Sequence, residues 1–314
     1  MIILYKIGIE NRIKAGIRDS FLDVSRAFKI IISPQFKMPI CDFISYFTNL
    51  FANKIPGIRK VVGQKRIVDF SEYMKAYDRT AATFTPYREL LARIVDLMSI
   101  NNGDTVLDLG SGTGNLSLAA KRSGAKVISA DNSAEAREVH KSKDLEAIQL
   151  DVNIDRDESR TGFIPFADHS FKKVCAANLW TYIKNRSTLY AEIRRLLEPD
   201  GIFVLAVERK GYSPVQILKG HLSSEYNKHI SEGMLPLTAL TRVYADFISS
   251  YEDLLITAEQ TKKLMRGITA GDYVVFTEQE IIREFKANGF EVLSAEIAYA
   301  SQAIIVRARV TRTA

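Results

Sequence analysis

The stretch Val106-Leu107-Asp108-Leu109-Gly110-Ser111-Gly112-Thr113-Gly114-Asn115 constrains this chain more than any other. An apolar run ends in an acid, and three alternate glycines follow before a helical pattern begins. That reads as a buried strand, a tight turn and a helix start. Glycine lets the backbone take positive φ and brings a ligand close with no Cβ in the way. The helix that follows offers free N–H groups at its first turn. The spacing is D-x-G-x-G-x-G, which differs from the dinucleotide fingerprint G-x-G-x-x-G, whose last glycine falls one residue later.

Two further strand ends repeat the theme. Lys126 to Asp131 is a strand closing on an acid 21 positions after Gly110, and Ala147 to Leu150 closes on Asp151. An acid about 20 residues beyond the glycines is where ribose hydroxyls are held in doubly wound sheets. Alone, either acid reads as a turn or cap residue; three at successive strand ends point to a ligand edge. Farther on come Phe163-Ile164-Pro165-Phe166-Ala167-Asp168-His169-Ser170-Phe171, a strand Lys173 to Asn178, and Arg195-Leu196-Leu197-Glu198-Pro199-Asp200-Gly201 leading into a strand Ile202 to Val207.

Together these segments resemble the class I S-adenosylmethionine-dependent methyltransferases, nearest in feel to the ubiquinone and menaquinone methyltransferase branch. Lys172 stands where that family usually has Asp. The likeness is close over about residues 70–210. It implies an α/β fold, a Rossmann-like doubly wound seven-stranded sheet with an antiparallel last strand, and S-adenosylmethionine as cofactor. It further implies that Asp108, Gly110, Gly112 and Gly114 line the methionine end, Asp131 the ribose, and Asp151 with Val152 the adenine, with Asn132 a further cofactor contact. Asn178 follows the fourth strand as another contact. Tyr77, in Tyr77-Asp78-Arg79-Thr80-Ala81, matches an aromatic that closes over the cofactor, with Tyr73 beside it.

Methyl transfer from a sulfonium relies on alignment in a dry site more than on acid–base help. A catalytic residue is therefore hard to name. Weak candidates sit after the fourth and fifth strands or beyond: Tyr182, Glu208 and His221, with Trp180, Tyr212 and His229 behind them. As bare sequence, each is more often a packing or surface residue. The order Asn178-Leu179-Trp180-Thr181 lacks the prolines of amino-methylating DNA enzymes, and Cys175 lies too far inside a strand for thiolate chemistry. Nucleic acid is accordingly disfavoured as a substrate. Two cysteines make neither a disulfide framework nor a zinc pattern, so no metal is expected.

The net charge of +6 is uneven: residues 1–66 carry 12 Lys and Arg against 4 Asp and Glu. There Ile13, Ile17, Phe21, Val24, Phe28 and Ile31 recur at helical spacing, and Phe43, Tyr46, Phe47 and Phe51 sit among basic residues. A basic amphipathic extension over 1–66 is either a helical cap or a reversible anchor to an anionic membrane surface. Residues 67–314 form the methyltransferase domain, with a helical insertion at 211–272 as substrate lid. With no run long enough to span a bilayer, a cytoplasmic enzyme is expected, peripheral on the inner membrane face if the extension binds lipid. Its acceptor is a small or lipid-like molecule. A protein or nucleic-acid methyltransferase, or a non-catalytic binding protein that kept the fold, is the alternative.

Overall fold

The computed structural model describes residues 70–153 and 162–311. The basic extension at 1–66 therefore lies outside the described residues. Helices α1 (Phe70–Thr83) and α2 (Thr85–Met98) precede the sheet, in which β1 (Thr105–Leu109), β2 (Lys126–Asp131) and β3 (Glu146–Gln149) alternate with α3 (Asn115–Arg122) and α4 (Ala134–Ser142). Then follow β4 (Phe171–Ala177), α5 (Arg186–Leu196) and β5 (Leu197–Glu208). Three helices come next, α6 (Pro214–Ser231), α7 (Pro236–Ser249) and α8 (Tyr251–Ala270), and α9 (Glu278–Ala287), β6 (Phe290–Ala298) and β7 (Ala303–Val310) close the chain.

The seven strands lie in the order β3-β2-β1-β4-β5-β7-β6. β1 to β5 are mutually parallel, and β7 runs antiparallel between β5 and β6. The sheet is thus the doubly wound, seven-stranded one that the family resemblance implies. Side chains alternate across it, as the two-residue strand period demands. Leu107, Leu109, Val174, Phe203 and Leu205 face α5 and α9 through Ile193, Ile281 and Phe285. Val106, Cys175, Val204 and Ala206 face α2 and α3 through Leu90, Ile94, Met98 and Leu116. Because both faces are covered, the central strands read as continuous apolar runs rather than alternating ones.

The Thr277 capping box forms, with Thr277 and Glu280 bonded reciprocally. At the start of α2, Phe84 occupies the N-cap position without a side-chain bond, and the Thr85 hydroxyl donates to Glu225 at 2.5 Å. β5 begins at Leu197, ahead of the Ile202 start expected from sequence, and carries the extra residues through a register jump opposite Phe171 and Lys173, with Asp200 at φ +66°. A bulge of this kind lets one strand carry extra residues without ending.

Candidate active site

Parallel topology sends the glycine turn after β1, Asp131 at the end of β2, Asn178 after β4 and Glu208 at the end of β5 to one edge of the sheet. That carboxyl edge is where open α/β sheets bind ligands. A cavity of 580 Å³ opens there, walled by the glycine turn below and by α1, α6, α7 and α8 above.

The turn itself is held by side chains. Gly110, Gly112 and Gly114 have φ of +64°, +53° and +76°, the left-handed region that disfavours a Cβ. A Cβ on Gly112 would meet nothing within 4 Å, so its space belongs to the cavity, whereas one on Gly110 would strike Leu179 at 2.7 Å. Both Asp131 oxygens accept backbone N–H groups, from Gly112 at 2.8 Å and from Ser133 at 2.9 Å. A carboxylate has about four acceptor sites, so Asp131 retains capacity for ligand hydroxyls. Lys143, mostly buried, ties the turn to α1: its ammonium donates to the Thr113 carbonyl at 2.8 Å, to Asn115 at 2.7 Å and to Asp78 at 2.5 Å. Asn178 sits at φ +55°, and its side-chain carbonyl oxygen is buried with no hydrogen-bond partner. An unpartnered buried acceptor on a cavity wall calls for a donor. Open space over Gly112, spare lone pairs on Asp131 and the bare Asn178 oxygen together fit a molecule of S-adenosylmethionine's kind.

The opposite wall is aromatic. Tyr73, Tyr77, Tyr87, Tyr182, Tyr212, Tyr273 and Tyr299 line it, with Phe84, Phe247, Leu254 and Leu264. Glu208 lies among them, 3% exposed and accepting a hydrogen bond from the Thr181 hydroxyl. Burial pushes its pKa up from the ordinary carboxylate value. Desolvation likewise pushes up the phenols of Tyr73, Tyr77, Tyr87, Tyr182, Tyr212 and Tyr299, with Glu208 adding to the effect on Tyr77, Tyr182, Tyr212 and Tyr299.

Of the residues singled out from sequence, the cavity brings together Tyr77, Gly110, Gly112, Asn132, Asn178, Tyr182, Glu208 and Tyr212, with Tyr73 beside Tyr77. Others stand elsewhere. Asp108 is 1% exposed and faces inward, accepting from Ser117 at 2.6 Å and from Cys175; burial raises its pKa to about 7. It supports the turn from behind rather than lining the cavity. Gly114 also packs rearward, since a Cβ there would strike His140 at 2.5 Å. Asp131 is not on the cavity lining, although its neighbour Asn132 is, and Asp151 is exposed with one oxygen accepting from Asn153 at 2.8 Å, beside buried Val152.

Three candidates are removed from the cavity wall. His221 stacks on Phe84 at 4.3 Å and accepts from the Thr85 N–H, and burial lowers its pKa. Trp180 is fully buried in the core, its indole N–H donating to Glu284 at 3.0 Å. His229 pairs with Glu232 on its own helix end. Sequence reasoning did not find Tyr87, Tyr273, Tyr299 or Lys143. For the three tyrosines the only sequence trace is a modest abundance of tyrosine, 13 in the chain. Among the described residues no cluster could hold a metal ion, and no helix is long and apolar enough to cross a membrane.

Residues 107–205 match the family model described as "Methyltransferase domain". A demethylmenaquinone methyltransferase of Clavibacter sepedonicus is 31% identical over 139 residues, covering 43% of this chain and 55% of that one. The chain thus spans about half the length of that curated relative. Two solved structures are similar at low identity. One is a SAM-dependent methyltransferase from Aquifex aeolicus, at TM-score 0.47 and 16% identity over 78% of this chain and 100% of that one. The other is the Burkholderia thailandensis 1,6-didemethyltoxoflavin-N1-methyltransferase with S-adenosylhomocysteine, at 0.44 and 14% over 79% and 93%.

Proposed function

We propose, from the premise that this chain belongs to the class I methyltransferase family through residues 107–205, that it transfers the methyl group of S-adenosylmethionine to a small-molecule or lipid-like acceptor. The observation that carries this reading is the single cavity shared by the glycine turn and the tyrosine-lined chamber. S-adenosylmethionine supplies an electrophilic methyl on a cationic sulfur whose leaving group is neutral. The protein's own part is binding, alignment and exclusion of water. In this reading Gly110 and Gly112 admit the ligand against the backbone. Asp131 and Asn132 serve the ribose, Asp151 and Val152 the adenine, and Asn178 accepts a ligand donor. Helices α6 to α8, within 211–272, serve as the lid of a domain spanning 67–314. The relative named for demethylmenaquinone supports a small-molecule or lipid-like acceptor.

Calorimetry with S-adenosylhomocysteine tests the core of the reading. Wild type binds it, and Asp131→Ala loses about 1.5–3 kcal/mol, the scale of hydrogen bonds involving a charged group. No binding by the wild type would end the proposal. The basic extension at 1–66 is read as a reversible contact with an anionic membrane surface, which would place a cytoplasmic enzyme on the inner membrane face. Each Lys or Arg adds about 1 kcal/mol near such a surface. Sedimentation with anionic vesicles then shows binding that salt abolishes and neutral vesicles lack. Equal behaviour with both vesicle types leaves the extension as a cap.

A further inference from the structure

We infer that the roofed half of the cavity takes an organic cation, a protonated amine that is the methyl acceptor, held against Glu208 within a box of tyrosine rings. The inference rests on the methyltransferase reading of the same cavity and adds the chemical class of its acceptor.

Glu208 is the starting point. It is nearly fully buried at the end of β5, and the groups acting on it are its own backbone, the Thr181 hydroxyl and desolvation. Among the described residues no cation pairs with it; Lys263, the one lysine on the cavity wall, is not among the groups that act on that carboxylate. Removing a carboxylate from water without a counter-charge is costly. With a neutral acceptor Glu208 keeps its proton, as burial alone favours, whereas an ammonium group supplies the counter-charge that lets it ionise. One donated hydroxyl leaves most of the carboxylate's lone pairs available.

The rings make the same point independently. Tyr73 and Tyr77 meet at 5.9 Å and 39°, Tyr77 and Tyr87 at 6.2 Å and 74°, Tyr87 and Tyr299 at 6.2 Å and 62°, and Tyr182 and Tyr273 at 4.9 Å and 73°. Rings stacked in parallel would hide their faces from a ligand. Rings tilted against one another present walls in several directions, the arrangement by which aromatic boxes hold ammonium groups through their negative faces. Six of the cavity's seven tyrosines belong to these pairs, and the seventh, Tyr212, lines the same wall.

The chemistry balances. An ammonium group has no lone pair, so it must lose one proton before it can react. That N–H proton passes to a Glu208 oxygen. The freed nitrogen pair forms the N–CH3 bond as the C–S bond breaks, and the electrons of that bond neutralise the sulfur. The proton on Glu208 leaves to solvent when the products depart. Burial favours the protonated carboxyl at the moment of transfer.

Choline and its uncharged isostere 3,3-dimethylbutan-1-ol are the probes, titrated by calorimetry into the full chain in the presence of S-adenosylhomocysteine. Choline is expected to bind at least about tenfold more tightly than the isostere. Glu208→Gln should erase that preference. Tyr273→Leu, at a ring only half-buried, should reduce it several-fold. Affinity for S-adenosylhomocysteine should stay within about twofold in both variants. With labelled S-adenosylmethionine, the methyl group should enter primary amines and not the corresponding phenols. Equal binding of the two probes by the wild type, a preference that survives both substitutions, or label entering phenols alone would overturn the amine inference. Binding of S-adenosylhomocysteine in those cases would leave the methyl-transfer reading standing. Its absence from the wild type would remove that reading, and the inference with it.

Discussion

The floor and the roof of the cavity are made in opposite ways. The floor is one short piece of chain, the turn carrying Gly110 and Gly112, braced by three side chains: Asp131 on the Gly112 N–H, Lys143 on the Thr113 carbonyl and Asp108 from behind. The roof gathers Tyr73, Tyr182, Glu208, Tyr273 and Tyr299 from positions more than 200 residues apart. A floor of backbone geometry suits a ligand that every relative must share. A roof of side chains can be changed one residue at a time without disturbing the fold. In the proposed reading, this division separates cofactor binding from acceptor choice.

The sharpest way to break the comparison is at Gly112. Its absent Cβ faces open cavity at φ +53°. Gly112→Val fills that space and strains the turn by about 1–3 kcal/mol. S-adenosylhomocysteine affinity should fall at least about a thousandfold, or roughly 4 kcal/mol, while circular dichroism still reports the native fold. Wild-type affinity in this variant would mean the floor lies elsewhere.

Asp108 tests whether the floor is a structural brace. Its pKa is raised to about 7 in the folded protein, chiefly by burial, against roughly 4 in an unfolded chain. Below pH 4 both states are protonated. As pH rises toward 7, the unfolded state ionises first, so the folded state loses relative stability. Urea titrations of wild type should therefore lose on the order of 3 kcal/mol, relative to Asp108→Asn, between pH 4 and pH 7. A flat difference across that range would show that the carboxylate is not held in a dry site.

The smallest effect is expected in the roof. Leu264, half-buried on α8, lines the upper wall of the cavity, the side proposed to take the acceptor. Leu264→Ala should lower turnover about tenfold, or roughly 1.4 kcal/mol, by loosening the fit around the acceptor, with S-adenosylhomocysteine affinity unchanged within twofold. Equal losses in both would merge floor and roof into one functional unit.

The same contrast explains what could be read from sequence. Strand-turn-helix signals are local, so β1, β2 and the glycine turn are visible as spacing. The capping box at Thr277 is visible for the same reason. Asp108 shows the limit of such reading: its place in the motif is plain, but only the packing of Ser117 and Cys175 turns it inward. Gly114 is similar, because the close approach of His140 comes from a different helix. Tyr87, Tyr273 and Tyr299 carry no local signal at all; tertiary packing alone makes them neighbours. His221 and Trp180 had the right residue types in the right part of the chain, yet Phe84 and Glu284 engage them away from the cavity wall.

Between β6 and β7, Tyr299, Ala300 and Ser301 take φ of +56°, +50° and +65° in succession, and none is glycine. Each such residue costs about 1–2 kcal/mol. Gln302 secures the turn, its amide donating to the Ala300 carbonyl at 3.2 Å and its side-chain oxygen accepting the Ser213 N–H at 2.7 Å. The ring that this turn presents is Tyr299, on the cavity wall against Tyr87. For anyone seeking a heat-resistant version of this protein, glycine at 300 or 301 is the obvious first substitution. It is also the one that gives Tyr299 room to wander, so the hardier protein would be the less discriminating one.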